Sequence, residues 1–374
     1  MLMFLISFLI LYFGACFYVW FRLRPVFSAA DTGSGIITIA VYALICISFF
    51  IGMLLLSKDK IFVATPFYTI GCMFMAVLLY LFLCFFVIDI ARVINLIFKF
   101  DWLSFRYSIS DAKAPFFSYM AGIISILIVA FGYFNARYPV TKIIEYQTEK
   151  KIDTPVRFIA VSDIHIGLIN NEQFLADLVE KINVIKPDFV IIAGDFFDGN
   201  TSPVINSQCD IILKRIITNY GVYAVTGNHE YIGDAATACK WLTNSGLTVL
   251  KDSVVNLPCG VSLIGREDLS ARKQVDFKSL TMSAPKENYK IVIDHQPSRT
   301  DESVFAKVDL HISGHTHAGQ LFPINLLTGK IYENDFGQSQ KGSTYIYCTS
   351  GYGTWGPPVR TTAHPEMVYF EIHK

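Results

Sequence analysis

The residues of this chain that can do chemistry fall into five short clusters. They are Asp163-Ile164-His165, Gly194-Asp195, Gly227-Asn228-His229-Glu230, His295 and Gly314-His315-Thr316-His317. Asp, Asn and neutral His offer oxygen and nitrogen ligands suited to Mn, Fe or Zn. An Asp-x-His step on extended backbone puts both side chains on one side, so both reach one ion. His-x-His does the same, or divides its ligands between two neighbouring ions. Asp163, His165, Asp195, Asn228, His295, His315 and His317 make seven candidate ligands, more than one tetrahedral zinc takes. They suffice for two divalent ions sharing a carboxylate, an arrangement that activates water and clamps a phosphoryl group. The expected cofactor is therefore a pair of divalent ions, Mn, Fe or Zn. Glycines before Asp195, Asn228 and His315 allow tight turns beside the ions. Each cluster alone is a weak signal, and the ordered set carries the reading.

That ordered set resembles the signature of the calcineurin-like metallophosphoesterases, over roughly residues 155–374. Ala318-Gly319-Gln320, Gly351-x-Gly353 and Pro358-x-Arg360 are similar to its membrane-tethered bacterial branch. The resemblance implies an α/β fold, a four-layer α-β-β-α sandwich. It implies that Asp163, His165, Asp195 and His317 hold one metal. Asp195, Asn228, His295 and His315 would then hold the second, with Asp195 bridging. It also implies that His229 is not a ligand and faces the phosphate and leaving group, with Glu230 orienting it. Glu230 stands where many relatives have Asp.

Arg266 and Arg360 are the expected substrate-binding residues, since a guanidinium fork pairs with phosphate. An exposed salt bridge is the competing reading for Arg266, and the stronger one for Arg272. Asp198 reads equally as a support of the site or a helix cap. His311 reads as structural, and His364 and His373 belong to no cluster. Trp355 and Tyr352 are either a substrate wall or loop packing.

The clusters follow apolar runs that read as strands, and open α/β sheets gather ligand sites at strand carboxyl ends. The predicted strands are 158–161, 189–193, 222–225, 261–264, 290–293, 310–312 and 345–347. Phe174, Leu175, Leu178, Val179, Ile182 and Ile185 share one helical face over Asn171–Lys186, stopped by Pro187. A second helix is predicted over Ile211–Tyr220, with Gly221 as its stop.

Residues 1–138 are a different kind of chain. Of 374 residues 53% are hydrophobic and 17% charged, and mean hydropathy is +0.43. Soluble domains carry about 25% charged residues, so a wholly soluble, disordered or collagen-like chain is excluded. Net charge is zero, which gives no nucleic-acid signal. The zero averages nine Lys+Arg against five Asp+Glu up to residue 138, and 22 against 26 beyond it. All eight histidines lie in the second part.

The apolar runs Leu2–Phe21, Ile36–Leu56, Ile61–Ile88 and Ala114–Ala136 are uncharged. About 20 helical residues cross a hydrocarbon core, and lipid cannot satisfy exposed backbone groups. Transmembrane helices are therefore predicted at about 2–21, 36–56, 65–88 and 114–136, then a linker over 139–154 and a catalytic domain over 155–374. The first run lacks a basic start and a small-residue cleavage site, so it reads as a retained span. Asp89 and Arg92 are expected at the membrane interface. The first and third loops hold six Lys/Arg, against four in the second loop and after the fourth span. This predicts both termini, and the catalytic domain, outside the cytoplasm. No Cys-x-x-Cys pair occurs among the eight cysteines, so zinc-finger and thioredoxin readings gain no support.

The reading is a multi-pass protein of the cell membrane that hydrolyses a phosphomonoester, phosphodiester or pyrophosphate bond. Its substrate is a phosphorylated small molecule or a lipid-linked envelope compound, its partner membrane lipid, and no nucleic acid is expected. The alternative is a transport or signalling protein with a regulatory or catalytically inactive domain of this kind.

Overall fold

The computed structural model describes residues 2–27, 32–98, 114–152 and 155–374. Lys99, Arg106 and Lys113, counted in the third loop, lie outside the described residues. The chain divides into two compact units, Met1–Phe134 and Asn135–Lys374.

The first unit is built from α1 (Leu2–Phe27), α2 (Thr32–Leu56), α3 (Ile61–Phe98) and α4 (Ala114–Arg137), whose last residues belong to the second unit. All four are long and apolar enough to cross a membrane. Helices α1 and α3 run further than their apolar stretches, since the Arg and Asp residues at their ends are tolerated in a helix and three of them pair. The Asp89 carboxylate accepts hydrogen bonds from Arg22, from Arg92 at 2.9 Å and from the Tyr18 hydroxyl at 2.5 Å. In α2 a Cβ on Gly52 would stand 2.6 Å from the Tyr68 backbone nitrogen. Small residues let apolar helices approach where lipid supplies no hydrophobic drive between them.

The second unit holds two six-stranded sheets. Its strands are β1 (Val140–Gln147), β2 (Val156–Val161), β3 (Phe189–Ala193), β4 (Val222–Val225), β5 (Thr248–Val249), β6 (Ser253–Asn256), β7 (Val261–Gly265), β8 (Tyr289–Ile293), β9 (Leu310–Ser313), β10 (Gly337–Lys341), β11 (Thr344–Cys348) and β12 (Glu366–His373). Its helices are α5 (Glu172–Ile185), α6 (Ser202–Ile205), α7 (Cys209–Leu213), α8 (Asn228–Ile232), α9 (Ala235–Asn244), α10 (Phe277–Ser283), α11 (Thr300–Phe305) and α12 (Asn325–Ile331). The sheet orders are β1-β12-β2-β3-β4-β5 and β10-β11-β9-β8-β7-β6.

One core lies between the sheets, where Phe158 stacks on Phe189 at 4.8 Å and on Phe370 at 4.9 Å, among Leu263, Ile291 and Leu310. Leu175, Leu178 and Ile182 of α5, with Leu242 of α9, cover the outer face of the first sheet. Phe277 and Leu280 of α10 cover the second. The result is the expected α-β-β-α sandwich.

Two elements differ from the sequence reading. Residues Val140–Gln147, assigned to the linker, form edge strand β1, parallel to β12 from Val140 opposite Glu366 to Gln147 opposite His373. Its first four residues are exposed, and only Ile144 and Tyr146 alternate inward to the core, too short a stretch to announce a strand. The helix predicted over Ile211–Tyr220 is only the short α7, Cys209–Leu213. The Asn183 side chain takes the backbone groups that would continue it. It donates to the Arg215 carbonyl and accepts from the Ile217 N–H, both at 2.8 Å.

Candidate metal centre

The loops leaving β2, β3, β4, β8 and β9 carry the five clusters, and they converge. Backbone bonds lock the first two together: Asp163 N donates to the Gly194 carbonyl and His165 N to that of Asp195, each at 3.1 Å. Asp163, His165, Asp195, His315 and His317 all have φ between 49° and 71°. Left-handed backbone at such residues costs about 1–3 kcal/mol each and survives only where surrounding structure enforces it. The glycines make the approach possible. At Gly194, with φ 85°, a Cβ would stand 2.5 Å from His295 Nδ1. At Gly314 it would overlap Ser162 and Asp163.

The candidate ligand atoms face one another. His317 Nε2 lies 3.0 Å from His165 Nε2 and 3.2 Å from Asp163 Oδ1. His295 Nε2 lies 3.2 Å from both Asp195 Oδ2 and Asn228 Oδ1. His295 Nδ1 meets the Ala193 carbonyl at 2.8 Å, which requires the proton on Nδ1 and turns the Nε2 lone pair into the site. Among the described residues three overlapping groups have spacing that fits a metal ion: Asp163, His165 and His317; His165, Asp195 and His229; and Asp195, His295 and His315. Asp195 and His165 are each shared by two of them. Nitrogen and carboxylate donors at this spacing suit a pair of divalent ions.

The electrostatics agree with that fit. Burial raises the Asp163 carboxyl, but His317, His295 and His165 outweigh it and hold it well below the usual carboxylate range. Asp195 is lowered in the same way, mainly by His295 against the effect of burial. Burial opposes a proton on His295 and His165, yet the facing carboxylates raise both. The same field favours a cation in place of those protons. Burial lowers His229 and His317 to about 4, and lowers His315, leaving them neutral.

The supporting residues depart from expectation. Glu230 does not reach the His229 side chain. It is buried and accepts from the Asp195 and Phe197 N–H groups, each at 3.1 Å, and from Gly227 N at 2.6 Å. It therefore fixes the backbone of two ligand loops; burial and Asp195 push its carboxyl up to about 7. Arg360 is wholly buried. Its Nη2 donates to the Gly353 carbonyl at 2.6 Å and lies 3.0 Å from His317 Nδ1. Arg266 is neither exposed nor in the cluster. It pairs with Glu302 at 3.0 Å and Asp294 at 3.7 Å and lies over the Phe277 ring.

Asp198 stands 3.5 Å from His165 Nδ1 and 3.7 Å from His229 Nδ1, the supporting reading of that residue. The Tyr352 ring is buried beside Phe174, as packing, whereas Trp355 is 56% exposed with its ring 6.1 Å from that of His229. His311 is structural, its Nδ1 2.8 Å from Ser303 Oγ. The sequence reading passed over Asp268. It is buried, receives both bonds of the Gln296 amide nitrogen, and its charge acts on His295 and His315. Its place three residues past the end of β7 was the available signal.

Residues 156–319 match the family described as calcineurin-like phosphoesterase. A Helicobacter pylori (strain J99) protein named an uncharacterized metallophosphoesterase is 33% identical over 229 residues, covering 59% of this chain and 61% of that protein. An Aquifex aeolicus protein of the same name is 28% identical over 261 residues, 67% of this chain and 97% of its own. A Danio rerio transmembrane protein with metallophosphoesterase domain is 28% identical over 267 residues, 66% of this chain and 61% of its own. The chain thus spans about three fifths of the length of the Helicobacter relative.

Proposed function

We propose that the segment matching the calcineurin-like phosphoesterase family over residues 156–319 is a working catalytic domain, and that the whole protein is a membrane-anchored phosphoesterase working with two divalent ions. The observation that carries this is that the groups Asp163, His165, His317 and Asp195, His295, His315 lie side by side, with Asp195 Oδ2 3.8 Å from His165 Nε2. Asp163, His165, Asp195 and His317 hold one ion; Asp195, Asn228, His295 and His315 hold the other. When bound, such ions supply Lewis acidity that activates water and neutralises phosphoryl charge. His229 assists the departing oxygen as hydrogen-bond donor or general acid. Its backbone N–H donates to Asp195 Oδ1 at 2.8 Å, and Asp198 Oδ1 stands 3.7 Å from its ring Nδ1. Arg360 positions His317 instead of gripping phosphate, and Arg266 braces Asp294 beside His295.

The substrate is a phosphomonoester, phosphodiester or pyrophosphate, and the four membrane-length helices favour a lipid-linked one. The loop charges favour an extracytoplasmic domain. The complete donor set favours an enzyme over a regulatory or inactive domain.

Full-length protein in vesicles, screened with Mn, Fe and Zn against nitrophenyl phosphate, its diester and a lipid-linked pyrophosphate, tests this reading. Metal-dependent hydrolysis with two ions per active chain is expected. One ion per fully active chain by elemental analysis overturns the paired-ion reading, and no hydrolysis in any combination overturns the enzyme.

A further inference from the structure

The segment that follows the last histidine motif has an apolar surface that its own unit leaves largely open. Helix α12 buries none of its residues. Leu326, Leu327 and Ile331 on it are exposed, as are Phe322 and Ile324 before it and Phe336 after it. Six large apolar side chains exposed within residues 322–336 mark a contact surface. The polar side of the segment is anchored. Thr328 Oγ1 donates to Asp335 Oδ2 at 2.7 Å, and the Tyr332 ring lies 6.1 Å from that of His315. Gln320 donates to the Trp355 carbonyl at 2.9 Å and accepts from its N–H at 3.0 Å.

Its place in the second unit identifies the occupant. Phe322 N donates to Thr361 Oγ1 at 2.8 Å, and Thr361 N to the Gln320 carbonyl at 2.9 Å. The neighbouring Arg360 carbonyl accepts from Asn135 at 3.0 Å, in the last turn of α4. Lys142, at the start of β1, stands over the Phe336 ring at 5.8 Å. The apolar segment is thus hydrogen-bonded, residue to residue, to the point where the chain leaves its last membrane-length helix. Beside that exit the standing apolar phase is the bilayer.

We propose that α12 and its flanks dock on the lipid surface, with Leu326, Leu327 and Ile331 entering the boundary between headgroups and acyl chains. Short apolar faces bind there in proportion to the area they bury. Through Tyr332 and Trp355 the docked segment holds the mouth of the metal centre at headgroup depth, where the phosphate of a lipid substrate lies. The docking stands without the phosphoesterase reading; this consequence rests on it.

The test places photo-reactive benzoylphenylalanine at Leu327, and separately at Met282, in the full chain reconstituted in phosphatidylethanolamine–phosphatidylglycerol vesicles. Met282 is exposed on α10, which covers β6 and β7 at the far edge of the second sheet. Lipid adducts at 327 and none at 282 are expected after irradiation. Equal adducts at both positions, or none at 327, overturn the proposal. Adducts to a second copy of the chain at 327 overturn it too and assign the patch to self-association. A Leu326→Ser, Leu327→Ser, Ile331→Ser chain should lose turnover of a lipid-linked pyrophosphate in vesicles and keep that of nitrophenyl phosphate, which also reports folding. Unchanged turnover of both overturns the link to substrate. Lipid adducts at 327 in a chain that hydrolyses nothing support the docking and sink the phosphoesterase reading alone.

Discussion

The two units bury opposite things. Among the described residues of the first unit, no charged side chain is buried, while Ile37, Phe62, Leu127 and many like them are exposed. In the second unit Asp163, Asp195, Glu230, Asp294, Arg266 and Arg360 are buried, and apolar cores such as that around Phe158 and that around Leu175 fill the space between and behind the sheets. Lipid makes apolar exposure harmless, so helices there need only close approach. In the sandwich a buried charge persists only with a partner. Arg266 and Asp294 have theirs within the fold. Asp163 and Asp195 face mainly imidazoles, a donor set whose spacing fits a cation. Burial of charge, and not its presence, separates the chemical unit from the anchoring one.

The sharpest break of this contrast comes from Asp195→Ala. Activity should fall to background, beyond the roughly 10⁴-fold that a lone proton donor supplies, and metal content should fall with it. Retained activity with the metals still bound would mean that the shared carboxylate is not the centre of the site. His229→Ala comes next. It should keep both ions and lose about 10²–10⁴-fold in turnover, less on a nitrophenolate leaving group. An equal loss on good and poor leaving groups removes the acid role.

A pair of leucines tests the apolar side of the comparison. Leu263, buried between the sheets, should cost about 2–5 kcal/mol on Leu263→Ala. Leu127, 64% exposed on α4, should change stability by less than about 0.5 kcal/mol on Leu127→Ala. Similar shifts in unfolding midpoint at both sites would erase the distinction.

A further effect concerns pH. Burial, with Arg266 and Arg299, lowers His311 to about 3. Its folded value lies below the ordinary value of about 6.5, so the unfolded chain binds the extra proton between the two. Stability is therefore complete above about 6.5 and declines as pH falls towards 3, by about 2 kcal/mol at pH 5. His311→Asn should flatten the change in unfolding midpoint between pH 7 and pH 5 by that amount. An unchanged slope would place the acid sensitivity elsewhere.

Much of this was legible because it is local. Helix α5 follows from its apolar face, from Asn171 accepting the Gln173 and Phe174 N–H groups, and from Lys186 closing it in left-handed conformation. Strands β3 and β4 are continuous apolar runs buried on both faces. The apolar stretches alone announce four long helices. Edge strand β1 was not legible, since its partner lies more than 220 residues away and only Ile144 and Tyr146 alternate inward. The truncation of α7 depends on Asn183, which is distant in sequence.

By itself the sequence determined the candidate donors, their order at strand ends, and the division into an apolar and a chemical part. Residue type sets donor chemistry, and hydropathy sets the preferred phase. Only the tertiary structure decided what each supporting residue does. Glu230, three residues from Gly227, holds the backbone of Asp195 and Phe197 instead of the neighbouring imidazole. Arg360 turns inward to His317, and Arg266 is consumed by Asp294 and Glu302. A charged side chain takes the partner that folding brings within reach once water is gone, and nothing in its own stretch of sequence says which partner that is.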